Sequence, residues 1–284
     1  MKKSFVNAHR RREDGQRYKH DLGQHFLYDQ DLLEALVEST GITPEDSVLE
    51  IGPGSGMLTT CLCASAKQVL AVEADESLLP FLRVKLEAFS NVTLLHGDIR
   101  RQNLAEVCAP LGKDFFVIAN IPYNITTPIF DLLWESGLPI KQISVMVQKE
   151  VAEKLTASPD DDAYGLLSVK CQYYCEPELG YIVPAQAFTP PPKVDSAFVH
   201  LRMLKSPPVP VENERLFFQL AKAGFGMRRK TLVNAVKGVL PLDGAEVREI
   251  LTEQGFSPTV RGEALTVADW IRFANACRRK LPSP

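Results

Sequence analysis

The residues of this chain that most directly imply chemistry are Asn120-Ile121-Pro122-Tyr123. They follow an apolar run, Phe115-Phe116-Val117-Ile118, with the length of a short buried strand. The chemistry they suit is methylation of the exocyclic amine of adenine. That amine is a weak nucleophile, because its lone pair is delocalised into the ring, and it must pyramidalise to attack. An amide oxygen on Asn120 and a main-chain carbonyl beside Pro122 would accept its two N–H bonds. Tyr123 would offer a ring on which the base stacks. The same four residues also read as an Asn-Pro turn closing a strand, and by themselves they leave both readings open.

A second group of residues suits a nucleotide-like cofactor. Ser47-Val48-Leu49-Glu50-Ile51 reads as a strand, Gly52-Pro53-Gly54-Ser55-Gly56 follows at once, and a helical pattern starts near Met57. Glycines let the backbone turn sharply and approach a ligand closely. A dinucleotide fingerprint would want glycine or alanine at position 57, where Met57 stands. That tells against NAD and leaves S-adenosylmethionine, which has no pyrophosphate to place. Val69 to Glu73 reads as a second strand ending in an acid that suits both ribose hydroxyls. Val92 to His96 leads into Asp98, which could accept from the cofactor's adenine amine. Each acid alone also reads as a solvated strand-end residue. In sequence, strand–Gly loop, strand–Glu, strand–Asp and strand–Asn-x-Pro-Tyr follow the order of successive α/β units. Leu22 to Leu27 reads either as the approach to a capped helix starting near Asp29 or as a lid over the methionine end of the cofactor.

The elements needed to position these groups alternate as strand and helix to about residue 150, the pattern of a parallel sheet covered on both faces. Asp31 to Ser39 is an expected helix and Ile143 to Val147 an expected fifth strand. Leu166 to Tyr174 is an expected helix, and Leu179 to Val183 and Ala197 to Leu201 are expected strands flanking Pro190-Pro191-Pro192. Ser206-Pro207-Pro208-Val209-Pro210 reads as a linker. Helices are expected beyond it over Glu214 to Phe225, Thr231 to Val239, Gly244 to Gln254 and Val267 to Ala276. Between the first two lies Arg228-Arg229-Lys230, either a solvated charge run or a phosphate contact.

Seven stretches together carry a family resemblance: G-Q-H-F-L at 23–27, L-E-I-G-P-G-S-G at 49–56, N-I-P-Y-N-I-T at 120–126, Q-K-E-V at 148–151, Y-G-L-L-S-V at 164–169, A-F-T-P-P-P-K-V-D-S-A at 187–197 and R-R-K-T-L at 228–232. The chain resembles the rRNA adenine N6-methyltransferase family, most closely the small-subunit (16S rRNA) dimethyltransferase type associated with kasugamycin sensitivity. The proline-rich stretch is the most specific of the seven. One position departs from the family pattern: His25 stands where Asn is more usual.

The resemblance implies a class I S-adenosylmethionine-dependent methyltransferase fold, α/β and Rossmann-like. Its mostly parallel sheet has seven strands, and a small all-α domain follows. It implies cofactor contacts at His25, Leu27, Gly52, Glu73, Asp98 and Asn120. It implies a target-adenine pocket at Asn120, Ile121, Pro122 and Tyr123, with Phe188 as the second stacking face. The implied reaction is methyl transfer to N6 of two adjacent adenosines in a small-subunit rRNA hairpin loop, giving N6,N6-dimethyladenosine and S-adenosylhomocysteine during ribosome biogenesis. The rival readings are a macrolide-resistance-type enzyme acting on large-subunit rRNA, and an assembly factor whose binding role outweighs its catalysis.

Composition bounds these readings. The chain has 284 residues and 45% apolar content, enough for a large α/β domain plus a small one. No apolar run reaches membrane-spanning length, and the N-terminus lacks the apolar core of a secretory signal. Six cysteines without a C-x-x-C pair or a His at ligand spacing predict no metal site and a reducing cytoplasm. The formal charge of −3 hides an asymmetry. Residues 1–20 hold seven Lys/Arg against two acids, and residues 206–284 hold twelve against eight. The middle is therefore strongly acidic, and the expectation is that RNA is met by the two ends. The expected organisation is a flexible basic tail over 1–20, a methyltransferase domain over 21–205, and a small helical domain over 206–284. That last domain would contact small-subunit rRNA through Arg228, Arg229 and Lys230. The chain is expected to act as a monomer on a pre-small ribosomal subunit.

Overall fold

The apolar runs of the first half become the parallel centre of a sheet. The computed structural model describes residues 25–281, so the expected tail over 1–20 lies outside the described residues. The chain enters through β1 (Phe26–Leu27) and α1 (Gln30–Ser39). The Asp29 carboxylate caps α1 by accepting from Leu32 N at 3.1 Å. Then come β2 (Ser47–Ile51), α2 (Met57–Ser65), β3 (Gln68–Glu73), α3 (Leu79–Leu86), β4 (Val92–His96) and α4 (Leu104–Cys108). The chain continues through β5 (Phe115–Asn120), α5 (Thr126–Trp134), β6 (Ile140–Gln148), α6 (Lys149–Thr156) and α7 (Leu166–Tyr174). β7 (Cys175–Val183), β8 (Phe188–Thr189) and β9 (Ser196–Met203) complete the strands. The last helices are α8 (Glu214–Gly226), α9 (Leu232–Ala235), α10 (Gly244–Glu253) and α11 (Val267–Lys280).

Seven strands form one sheet in the order β4-β3-β2-β5-β6-β9-β7. β2 pairs in parallel with both β3 and β5, β3 with β4, and β5 with β6. Order reverses at β2, and the carboxyl ends of β2, β3, β4 and β5 are where an open α/β sheet builds its ligand crevice. β2 and β5 are buried over almost their whole length, which explains the apolar run of β5, whereas β2 buries Glu50 among its apolar residues. β1 pairs antiparallel with β8, matching Phe26 with Thr189 and Leu27 with Phe188.

The described residues form two compact units, 25–149 with Leu179–His200, and Glu150–Glu178 with 201–281. The division does not follow the linear cut at 205/206 read from the sequence. Residues 150–178 join the second unit because Tyr164, Val169 and Tyr173 share one core with Leu216, Phe217 and Trp270. The buried Tyr164 hydroxyl is satisfied within that unit by the Leu265 carbonyl at 2.9 Å. Trp270 also fixes two glycines, since a Cβ on Gly224 or Gly262 would lie 2.4 or 2.8 Å from its ring. The expected helix over Thr231 to Val239 is shorter than its pattern suggested. α9 stops at Ala235, and Gly238 takes φ +87° three residues later.

Among the described residues no helix is long and apolar enough to cross a membrane, and no group of three or more His, Cys, Asp or Glu is placed to hold a metal ion. All six cysteines are free and buried.

Candidate functional site

A cavity of about 250 Å³ opens in the first unit at the ends of β2, β3, β4 and β5. Every expected cofactor residue lines it: His25, Leu27, Gly52, Glu73, Asp98 and Asn120. So do Ile121, Pro122 and Tyr123. Residues spread over about a hundred positions of sequence thus meet because parallel strands end on one edge.

The glycine loop is held by the acid behind it. The Glu73 side chain is buried; its Oε2 accepts from Gly54 N at 3.0 Å and its Oε1 from Asp75 N at 2.7 Å. An ionised carboxylate offers about four acceptor positions. Two are used here, which leaves acceptor capacity for two ligand hydroxyls. Burial raises the Glu73 pKa, against the lowering effect of those N–H bonds. Gly52 has φ +71° and Gly54 φ +57°, conformations a side chain rarely adopts. A Cβ on Gly54 would also meet the Phe26 ring at 2.5 Å, whereas one on Gly52 would meet no protein atom. Phe26 therefore lies directly on the loop.

Asp98 is more engaged than its sequence position suggested. Its Oδ1 accepts from Arg100 N at 3.1 Å and Arg100 Nε at 2.9 Å, and its Oδ2 accepts from Arg100 Nη2 at 2.7 Å. The Arg100 bonds hold its pKa below the usual carboxylate value. Oδ2 keeps acceptor capacity for a further donor.

Asn120 ends β5 with its amide already oriented, since Nδ2 donates to the His25 carbonyl at 2.8 Å. That bond assigns the nitrogen and leaves Oδ1 as the free acceptor. The Pro122 carbonyl accepts from Ile125 N at 3.1 Å. The Ile121 carbonyl has no backbone donor among the described residues, so it is the main-chain acceptor still available there. The Tyr123 ring stacks on the His25 ring with centroids 5.6 Å apart and planes 24° apart.

Two expected residues are placed otherwise. Phe188 does not line the cavity. It is 2% exposed, paired to Leu27 across β1 and β8, and packed in the core with Leu33, Leu36, Val183 and Phe198. An aromatic beside three prolines reads equally as a stacking face or as core, and strand pairing decided for core. Arg228 of the basic triplet is committed inside the second unit: Nε donates to Glu263 Oε2 at 3.1 Å and Nη1 to the Asp162 carbonyl at 3.1 Å. Arg229 and Lys230 are exposed and form no ion pair among the described residues.

Glu50 is a site residue that the sequence reading missed. It lies in the middle of an apolar strand, 1% exposed, and lines the cavity. Its Oε2 has no hydrogen-bond partner among the described residues. Burial pushes its pKa up to about 8, with the nearby Glu73 charge adding to the shift. The available signal was a charged residue inside a strand that otherwise reads as buried, since an isolated buried acid is costly without a partner. Glu50, Glu73, Asp75 and Asp98 outnumber Arg100 among the charged lining residues. This set of acceptors suits a ligand with cationic groups and ribose hydroxyls. The residues present therefore fit S-adenosylmethionine, and the orphaned Glu50 oxygen is the observation that carries the fit.

A glycine loop, an acid on each of the next two strands and Asn-x-Pro-Tyr on β5, set at one edge of this seven-stranded sheet, define an S-adenosylmethionine-dependent methyltransferase of the Rossmann-like class. Comparison with known proteins narrows the class. The family described as "Ribosomal RNA adenine dimethylase" matches residues 15–278. A protein of Geobacillus thermodenitrificans named "Ribosomal RNA small subunit methyltransferase A" is 43% identical over 266 residues, 91% of this chain and 90% of its own. One of the same name from Bacillus pumilus is 41% identical over 93% of this chain and 92% of its own. Among solved structures, a dimethyladenosine transferase from Plasmodium falciparum superposes with TM-score 0.77 at 26% identity, covering 90% of this chain and 98% of that one. The 23S rRNA methyltransferase ErmE gives TM-score 0.70 at 26% identity, covering 89% and 99%. The chain belongs to the ribosomal RNA adenine dimethylase family.

Proposed function

We propose that this cavity is where two adjacent adenosines of a small-subunit (16S) rRNA hairpin loop are converted to N6,N6-dimethyladenosine. The chain would act as a monomer on a pre-small ribosomal subunit in the cytoplasm. The observation that carries the reading is the fixed amide of Asn120. Its oxygen is an acceptor beside the cavity at the end of β5, with the Ile121 carbonyl next to it.

S-adenosylmethionine supplies a sulfonium methyl when bound. Glu73 would receive the ribose hydroxyls, Asp98 the adenine amine and Glu50 a cationic group, while Gly52, His25 and Leu27 complete the walls. Asn120 Oδ1 and the Ile121 carbonyl would accept the two N–H bonds of the target amine. Those bonds strengthen as the nitrogen gains positive charge, so they favour the transition state over the ground state. Positioning supplies much of the remainder. A strong general base is not required, because a methylated adenine ammonium is acidic enough to release its proton to water.

Small-subunit over large-subunit rRNA is favoured by the relatives above 40% identity, which carry the small-subunit name. Binding-only function is disfavoured by the joint presence of Glu50, Glu73, Asp98 and an oriented Asn120. The RNA would be met by Arg229 and Lys230 of the helical unit. The test is methyl incorporation from labelled S-adenosylmethionine into isolated small and large subunits, followed by mass spectrometry of the rRNA. Dimethyladenosine at adjacent positions in small-subunit rRNA is expected. Incorporation into large-subunit rRNA alone would refute the assignment.

A further inference from the structure

The sequence assigns Tyr123 a stacking ring. In the structure the hydroxyl is bonded to Ser196 Oγ. Ser196 is completely buried, at the first position of β9. Its neighbour Asp195 fixes it from both sides. The Asp195 carbonyl accepts from Lys149 N at 3.0 Å and its carboxylate from Ala185 N at 3.0 Å. The other hold on Tyr123 is the stacked His25 ring. His25 is itself tied down, with Nδ1 2.7 Å from the Pro190 carbonyl and its own carbonyl receiving the Asn120 amide. Burial raises the Tyr123 pKa, so the hydroxyl keeps its proton at neutral pH.

We infer that Ser196 and His25 are positioning residues that fix Tyr123 as a one-faced platform for the target adenine. The inference deepens, and rests on, the functional reading above. A tyrosine ring has two torsions to lose. A bond at its hydroxyl stops the swing about χ1, and a ring against one face stops rotation about χ2. Phe188 lies in the core, and His25 is the ring stacked on Tyr123. It covers one face of Tyr123, and the other face is assigned to the base. The bond to Ser196 cannot be exchanged for water at no cost, because a completely buried hydroxyl that loses its partner stays unsatisfied. His25 at this position is also the chain's departure from the usual Asn, so the ring stack is a feature of this sequence.

The experiment is a double-mutant cycle on the full chain: wild type, Tyr123→Phe, Ser196→Ala and the pair, with His25→Ala and His25→Phe alongside. Three quantities are read, the first two on isolated small subunits and the third on a small-subunit rRNA hairpin. These are kcat, the KM for S-adenosylmethionine, and the fluorescence quenching of 2-aminopurine placed at the target position. Tyr123→Phe and Ser196→Ala are each expected to lower kcat roughly two- to tenfold, the range of one aromatic pairing. Their KM for the cofactor should stay put and their quenching weaken. The double variant should fall no further than the worse single, because one bond is lost once. His25→Ala should lose quenching and His25→Phe recover it. Losses that multiply in the double variant would overturn the inference. So would a fall in Tm with wild-type kcat in the folded fraction, or His25→Phe failing as His25→Ala does. Wild type that leaves isolated small subunits unmethylated would overturn the functional reading itself, a result distinct from all of these.

Discussion

The Asn120 side-chain amide donates to the His25 carbonyl across 2.8 Å, joining two residues 95 positions apart. The bond decides which end of the amide faces the ligand. It also ties the segment that carries β1 to the end of β5.

One prediction follows for Asn120 itself. Asn120→Ala should lower kcat by roughly 10²- to 10³-fold, with a smaller effect on RNA affinity, because the lost acceptor matters most as charge develops. Asn120→Asp should be no better, although it keeps an oxygen at the site, because the second oxygen would face the His25 carbonyl and repel it. Single-turnover kinetics with small-subunit rRNA check both. An Asp variant close to wild type would mean the amide is not held as described.

Glu50 predicts a pH dependence whose sign can be worked out. Its pKa is raised from 4.5 to about 8. The folded chain therefore holds a proton that the unfolded chain has released over that window, and stability should fall as pH rises across it. A cationic ligand needs the ionised form. S-adenosylmethionine affinity should therefore rise with pH below neutrality, by up to roughly tenfold per unit, with a proton released on binding. Denaturation and calorimetry in buffers of differing ionisation enthalpy read the two effects. Glu50→Gln should flatten both curves.

Phe188 predicts a thermodynamic loss and not a kinetic one. Phe188→Ala removes a fully buried ring and should cost about 3–5 kcal/mol of stability. Kinetics in the folded fraction should remain near wild type. A stable variant with collapsed turnover would restore Phe188 to the stacking role that its sequence context suggested.

The basic triplet divides. Arg229→Gln with Lys230→Gln should reduce the salt slope of log RNA affinity by about 1.4, at about 0.7 for each single-strand phosphate contact. Arg228→Gln should leave the slope alone and lower Tm modestly, since its guanidinium holds Glu263 and the Asp162 carbonyl. Binding across a salt series, with cofactor affinity as control, separates the three side chains. An unchanged slope in the double variant would remove the main support for RNA docking by the helical unit.

Local sequence was enough for the parallel strands and for most of the site residues that line the cavity at their ends. β2 spans Ser47–Ile51 and β4 spans Val92–His96, as their apolar runs predicted, although β4 is an edge strand with no fully buried residue and β2 carries Glu50 within it. Glu73, Asp98 and Asn120 were legible because each stands at a strand end, and the order of α/β units fixes which ends meet. Pairings between residues far apart in the chain were decided only by tertiary structure. Phe188 went to the core because β8 pairs with β1, and Arg228 went to Glu263 because the loop before α11 passes beside it. The Tyr123 hydroxyl found a partner because β9 begins with Ser196. Residue type states what a side chain is able to do. Which partner it meets depends on strand register and on the packing of distant segments, and neither is set by local sequence.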